Sequence, residues 1–152
     1  MIPVLIRIGL LIISWSSVFF IPKKAFKIYT PVAIFASIMV IIESILSIPF
    51  KWWTVKGGLV NKIFNDLSLI LGPFFIGTIW IFHFTFGKFG LYALINVLMD
   101  ALLAYPINGI LQKLKVYKLV NFKPRHIFLT AIGYSLVIYA YQLYRSQRNP
   151  DN

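Results

Sequence analysis

Acidic side chains inside long apolar segments are the residues of this sequence best placed to do chemistry. Asp100 is the sharpest example, because it stands near the middle of an otherwise uncharged stretch at a four-residue spacing from Asn96 and Tyr92. Residues four apart lie on one face of a helix, so these three form a polar stripe that Asn108 extends. The stripe predicts one of three things at Asp100 and Asn96: an ion or proton site, a hydrogen-bonded helix contact, or a contact with another subunit.

Glu43 and Asp66 form the second candidate site. Each lies a few residues inside its apolar segment, counted from the same connecting loop, so we expect the two carboxylates at similar depth. A proton-sharing pair at that depth would suit ion or proton transfer. The alternatives are that Glu43 packs among small residues of its helix, and that Asp66 lies at the headgroup level beside Lys62.

Metal and nucleophile chemistry lack the residues that they need. The sequence has no cysteine, and neither His83 nor His126 has a second histidine at ligand spacing. It also contains no G-x-S-x-G, H-E-x-x-H or phosphate-binding glycine motif. We therefore predict a protein with no metal, no cofactor and no enzymatic activity.

The composition indicates that these polar residues belong to a membrane protein. Of 152 residues, 59% are hydrophobic and 12% are charged, against roughly 45–50% and 25% in soluble domains. A mean hydropathy of +0.82 excludes a disordered chain and a coiled coil. A transmembrane β-barrel is also excluded, because the sequence lacks alternating segments of about ten residues.

We predict an all-α transmembrane helical bundle that forms a single domain over residues 1–152. The predicted spans are residues 1–21, 28–50, 63–86, 89–111 and 127–144. The first span has the shortest uninterrupted apolar run, and it crosses the bilayer only if Arg7 reaches the headgroups by snorkelling. If it instead lies on the surface, a four-span bundle is the alternative.

The short turn at residues 87–90 predicts that the third and fourth spans form an antiparallel hairpin. Counting back from this turn places Asp100 level with Gly77 and Thr78, and the Thr78 hydroxyl offers a donor to the carboxylate. Within the third span, Gly72-Pro73 predicts either a packing kink or a broken helix of the kind that lines transport sites.

The basic residues lie between the apolar segments and give a net charge of +11. That position favours contact with lipid headgroups over contact with nucleic acid. The residues predicted to contact headgroups are those of the most basic loop: Lys113, Lys115, Lys118, Lys123 and Arg125. Nine basic residues on the N-terminal side against six on the other favour a cytoplasmic N-terminus.

Four short motifs stand out from the third span onward. They are Phe64-Asn65-Asp66-Leu67-Ser68, Gly72-Pro73-Phe74, Tyr105-Pro106-Ile107-Asn108 and Tyr117-Lys118-Leu119-Val120-Asn121. This set resembles a group of small multi-pass proteins from spore-forming Gram-positive bacteria. The resemblance implies a bacterial cytoplasmic membrane, and it brings no assigned activity and no site residues.

Five spans with little mass outside the bilayer predict a non-enzymatic component that associates with itself or with other membrane proteins. One alternative is a small proton- or cation-coupled transporter or channel subunit that uses Asp100, Glu43, Asp66 and Asn96. The other is a protein that binds anionic lipids through the basic loop. In every case the lipid bilayer is the expected surrounding, and nucleic acid is not an expected partner.

Overall fold

The computed structural model describes residues 2–148, and five long helices make up most of that range. They are α1 (Ile2–Phe20), α2 (Lys23–Phe50), α3 (Leu59–Thr85), α4 (Phe89–Lys113) and α5 (Pro124–Arg148). Each is long and apolar enough to cross a membrane, which confirms the predicted all-α bundle with five spans. Met1 and residues 149–152, the end of the predicted polar tail, lie outside the described residues.

Several helices extend beyond the apolar runs that predicted them. α3 begins at Leu59 rather than at Ile63. α5 continues past Tyr144 to Arg148, so the first residues of the predicted polar tail are helical. The backbone hydrogen bonds of a helix need no apolar side chains, so the helix continues through polar residues. The apolar runs therefore give the hydrocarbon-crossing part of each helix and not its ends.

α3 and α4 each contain one π-helical turn at a proline. The turns cover Ile70–Phe74, around Pro73, and Leu103–Ile107, around Pro106. Proline lacks a backbone N–H and its ring crowds the preceding turn, so a wider turn accommodates it. The helix continues on both sides of each turn, and the predicted break at Gly72-Pro73 is a local widening.

The widened turn of α3 is where α1 packs. Gly72 is buried, and a Cβ atom on it would lie 3.0 Å from Leu11 Cδ2 and 3.4 Å from Leu11 Cα. One turn further along α1, Trp15 Nε1 donates to the Leu71 carbonyl at 3.1 Å. Glycine allows the close approach and the tryptophan satisfies a carbonyl beside the proline. These contacts support the packing kink as the role of Gly72-Pro73.

A two-stranded antiparallel pairing joins two loops at one end of the bundle. Strand β1 (Trp53–Thr54), between α2 and α3, pairs with strand β2 (Lys118–Leu119), between α4 and α5. The pairing continues beyond the strands, because Val120 N donates to the Trp52 carbonyl at 2.9 Å. Both loops therefore lie on the same side, as five alternating spans require. We call this end of the molecule, opposite the turn between α3 and α4, the hairpin end.

The interior is packed mainly by aromatic and small side chains. In the centre of the bundle, Phe82 of α3 and Tyr92 of α4 have ring centroids 5.2 Å apart, and Tyr139 of α5 lies 4.6 Å from Tyr92. These rings pack against Val32 and Ala36 of α2, both fully buried. The contact between Phe82 and Tyr92 confirms the close antiparallel hairpin of α3 and α4.

The outer surface is apolar along every helix. Exposed side chains include Ile13, Ile45, Leu94 and Leu129, whose exposed fractions range from 56 to 70%. A soluble protein rarely exposes contiguous apolar surface on this scale, whereas hydrocarbon accommodates it without cost. The chain is a multi-pass membrane protein.

Candidate functional site

Asp66 lies at the centre of a buried group of polar side chains at the hairpin end. Its Oδ2 atom accepts hydrogen bonds from Lys62 Nζ, at 2.7 Å, and from Ser44 Oγ. Its Oδ1 atom accepts from Trp53 Nε1 and from Asn65 Nδ2, both at 3.1 Å. The carboxylate thus receives donors from α2, α3 and the loop between them, and its exposed fraction is 7%.

Arg7 joins this group from α1. Its Nε atom donates to Asn65 Oδ1 at 2.8 Å, and its Nη2 atom donates to the Val116 carbonyl at 3.2 Å. The predicted snorkelling of Arg7 is wrong, because the side chain is 4% exposed. The guanidinium finds acceptors inside the bundle, which removes the need to reach the headgroups.

We call this set the Asp66 cluster, and Ser47 completes it by accepting from Lys62 Nζ at 2.7 Å. Its members are Arg7, Ser44, Ser47, Trp53, Lys62, Asn65 and Asp66. Lys62 and Asp66 form an ion pair one helical turn apart, at 2.7 Å, with both side chains buried. Of the alternative predicted for Asp66, the contact with Lys62 is confirmed, whereas its position at the headgroup level stays a prediction.

The charges in the Asp66 cluster do not balance. Lys62 and Arg7 bring two positive charges and Asp66 brings one negative charge, so one positive charge is in excess. The acceptors of Arg7 are an amide oxygen and a backbone carbonyl, which are both neutral. The hydrogen bonds hold α1, α2, α3 and the loop before α5 together, and the excess charge makes the cluster attractive to anions.

The side chain of Glu43 faces α5 and not Asp66. Its carboxylate lies against the hydroxyl of Tyr134 on α5, and it takes no part in the hydrogen bonds that Asp66 makes. Ser44, the next residue of α2, contacts Asp66 instead. Adjacent helical residues point about 100° apart, so one of the two faces α3 while the other faces α5. The structure therefore does not bring the predicted pair together.

The polar stripe of α4 faces the interior. Tyr92 and Asn108 are each 2% exposed, and Asn96 is 8% exposed. The Tyr92 hydroxyl donates to the Ser135 carbonyl at 2.7 Å, which ties α4 to α5. Asn96 Nδ2 donates to the Tyr92 carbonyl of its own helix at 2.8 Å. The stripe is thus largely occupied by contacts within the chain.

Asp100 is the exception in this stripe. Its Oδ2 atom is shielded from solvent and has no hydrogen-bond partner among residues 2–148. The predicted donor, Thr78, uses its hydroxyl on the Phe74 carbonyl of its own helix at 2.7 Å. Asp100 therefore combines a position within a span with an unused acceptor atom.

Asn108 is bonded outside α4 as well. It accepts a hydrogen bond from the hydroxyl of Tyr117, which lies in the loop after α4. Burial raises the pKa of Tyr117 to about 12, because desolvation disfavours the phenolate. This contact holds the loop that leads into β2 against the end of α4.

The five cations of the basic loop are all exposed, as a headgroup-binding role requires: Lys113, Lys115, Lys118, Lys123 and Arg125. The pairing of β1 with β2 places Lys51 and Lys56, which are also exposed, at the same end. Asp66 is buried, so none of the acidic residues within 2–148 is exposed there to offset these charges.

The histidines and carboxylates do not converge. Within residues 2–148, no three of them are grouped closely enough to hold a metal ion. His126 Nδ1 accepts from the Lys123 backbone N–H at 3.1 Å, at the start of α5. The ring of His83 lies beside Trp80, with centroids 6.2 Å apart. Both contacts are local.

The sequence patterns did not single out three members of the cluster, Ser44, Ser47 and Trp53, and Asn65 stood out only within the motif at residues 64–68. Trp52 and Trp53 follow Lys51, a pattern typical of the headgroup region with the indole N–H in water, yet Trp53 Nε1 donates to a buried carboxylate. The four-residue spacing of Lys62 and Asp66 is the available signal for the cluster, since it permits an ion pair on one helix face.

No family model matches this chain, and neither the curated proteins nor the solved structures contain a match to it.

Proposed function

We propose that this protein is a non-enzymatic membrane component that assembles with other membrane-spanning chains, in the first instance a second copy of itself. The observation that carries this proposal is Asp100 within α4, whose side chain is only partly buried and whose shielded Oδ2 atom has no hydrogen-bond partner among residues 2–148. A carboxyl group in the middle of a span costs about 2.5–3.5 kcal/mol on the insertion scale, and a donor from a neighbouring chain to the exposed part of the group offsets that cost. The resemblance noted above favours a bacterial cytoplasmic membrane as the location.

The surroundings of Asp100 suit an interface between two copies. Val97 and Leu103, one turn to either side, are apolar and exposed by 41 and 42%. A partner helix would pack on these side chains and close the carboxyl group off from lipid. In a symmetric pair the two Asp100 side chains face one another, and protonated carboxyl groups then donate to each other.

Crosslinking in native membranes tests the assembly. The chain has no cysteine, so Leu103→Cys introduces a single reporter beside Asp100. We expect a crosslinked dimer in this background and at least a tenfold loss of it when Asp100→Leu is added. Leucine suits hydrocarbon, so this variant should remain a folded monomer. Leu98→Ala, on the other side of α4, is the control and should leave the dimer unchanged.

Two outcomes would contradict the assembly proposal. One is a parent protein that stays monomeric in its membrane at every crosslinker concentration. The other is an Asp100→Leu variant that crosslinks as well as its parent. Asp100→Asn retains a donor and an acceptor, so it should keep most of the dimer, and its behaviour separates hydrogen bonding from simple packing.

Proton- or cation-coupled transport is the second candidate, because Asp100 and Glu43 are carboxylates outside the ion pair of the Asp66 cluster. Asp66 and Asn96 are already engaged in hydrogen bonds. Asp100→Asn should abolish pH-dependent flux in proteoliposomes while the protein stays folded. Undiminished flux would remove Asp100 from any transport role.

Binding of anionic lipids by the basic loop is the third candidate, favoured by its five exposed cations. Each cation near an anionic surface contributes about 1 kcal/mol of attraction. Neutralising all five should weaken retention of anionic lipids during purification. Equal retention would exclude the loop as their binding surface.

A further inference from the structure

We propose that the hairpin end contains a discrete binding site for one anionic phospholipid, whose phosphate group contacts Lys62. The site is a cavity of about 210 Å³ between the end of α2, strand β1 and the start of α3. It is separate from the surface around Asp100 and from the exposed cations of the basic loop. The proposal does not depend on the assembly of two copies.

The lysine that lines this cavity is buried and has bonding capacity to spare. Lys62 is 7% exposed, and its ammonium group has three N–H donors. Two of them are used, by Ser47 Oγ and by Asp66 Oδ2, both at 2.7 Å. Among residues 2–148 the third has no oxygen acceptor, and the ammonium nitrogen lies 4.5 Å from the ring centroid of Trp53. Trp53 and Ser47 also line the cavity.

The excess positive charge of the Asp66 cluster selects for an anion. Arg7 is bonded to neutral acceptors, so the single carboxylate of Asp66 serves two buried cations. A positive charge held away from water is stabilised by a nearby negative charge more strongly than an exposed one is. A phosphate group in the cavity beside Lys62 supplies that charge.

The remaining walls of the cavity select for an amphiphile rather than for free phosphate. Ile48, Val55 and Leu59 contribute apolar surface. Ile48 and Leu59 are 40 and 53% exposed, so the apolar wall continues onto the lipid-facing side of the helices. An acyl chain can follow this surface while its headgroup enters the cavity, whereas inorganic phosphate would leave the apolar wall uncovered.

Native mass spectrometry of the full chain, purified with defined lipids, tests this site. We expect one phosphatidylglycerol molecule to remain bound when excess lipid is removed, and phosphatidylcholine to be retained at least tenfold less. Val55→Phe fills the cavity without altering the Asp66 cluster, and we expect a tenfold or greater loss of bound phosphatidylglycerol. Lys56→Met removes a cation of the same loop that does not line the cavity, so it is the matched control and should retain the lipid.

A second variant guards against misfolding of Val55→Phe. Leu59→Trp blocks the exposed rim of the cavity and should also lose the lipid. Equal retention of phosphatidylglycerol by folded Val55→Phe and Leu59→Trp would overturn the proposal, as would equal retention of phosphatidylcholine by the parent. Release of the bound lipid by millimolar inorganic phosphate would show that the site recognises phosphate alone and would overturn its assignment to a lipid.

Discussion

The ion pair of the Asp66 cluster offers the sharpest test of how this bundle is held together. Lys62 and Asp66 are buried to a similar extent, with exposed fractions of 8 and 7% for the side chains. Solvent therefore screens their interaction little. Removing one partner of such a pair costs about 3–5 kcal/mol, since the other charge is left buried and unpaired.

The surroundings of the pair predict which single substitution costs more. Asp66→Asn leaves two buried cations with no carboxylate, so we expect a loss near 5 kcal/mol, the upper end of that range. Lys62→Met leaves Asp66 with donors from Ser44, Trp53 and Asn65. The carboxylate remains partly satisfied, and we expect a loss near 3 kcal/mol.

The double variant Lys62→Met, Asp66→Asn should be more stable than Asp66→Asn alone, because it leaves one buried cation, Arg7, without a carboxylate instead of two. Asparagine keeps an acceptor for Trp53 and Ser44, and methionine fills the space of the lysine stem with apolar atoms. The two single losses sum to about 8 kcal/mol and the double variant should lose about 3–5 kcal/mol, so the coupling energy between the two positions should be about 3–5 kcal/mol. Equilibrium unfolding in mixed micelles with increasing sodium dodecyl sulfate gives the four free energies of unfolding that this cycle needs.

Additivity would refute this reasoning. If the double variant loses the sum of the two single losses, Lys62 and Asp66 do not act as a buried pair. The matched control is the cycle with Lys56→Met in place of Lys62→Met, because Lys56 is exposed and makes no ion pair with Asp66. That cycle should be additive within about 0.5 kcal/mol.

Two further predictions concern the contacts of α1 and of the loop after α4. Gly72→Val should separate α1 from α3, because the new Cβ atom meets Leu11 at 3.0 Å, whereas Gly77→Val has open space and should be tolerated. Crosslinking between cysteines introduced in α1 and α3 distinguishes the two variants, and equal crosslinking would contradict the predicted close contact. The raised pKa of Tyr117, about 12 against an ordinary value of 10, contributes stability that is fully present below pH 10 and is lost as pH rises towards 12. Tyr117→Phe should therefore lose less stability than the parent between pH 10 and 12 in the same unfolding assay, and identical alkaline profiles would contradict this.

The five spans could be predicted from the sequence because each is a local property. A helix in hydrocarbon satisfies its own backbone hydrogen bonds, so length and apolar content suffice to locate it. The close hairpin of α3 and α4 could be predicted in the same way, since a four-residue turn at 87–90 is too short to let the two helices separate. Helix ends were less well predicted, because polar residues such as Lys62 in α3 and Arg145 in α5 continue the helices beyond the runs that hydropathy marks.

The partners of the polar residues were decided only by tertiary structure. Glu43 and Ser44 are neighbours in sequence, and the rotation of α2 alone determines that the serine meets Asp66 while the glutamate meets Tyr134. Arg7 likewise becomes buried because Asn65 and the Val116 carbonyl converge on it from distant parts of the chain. Sequence fixes which groups need partners in a bilayer, whereas helix rotation and packing determine which group each one finds.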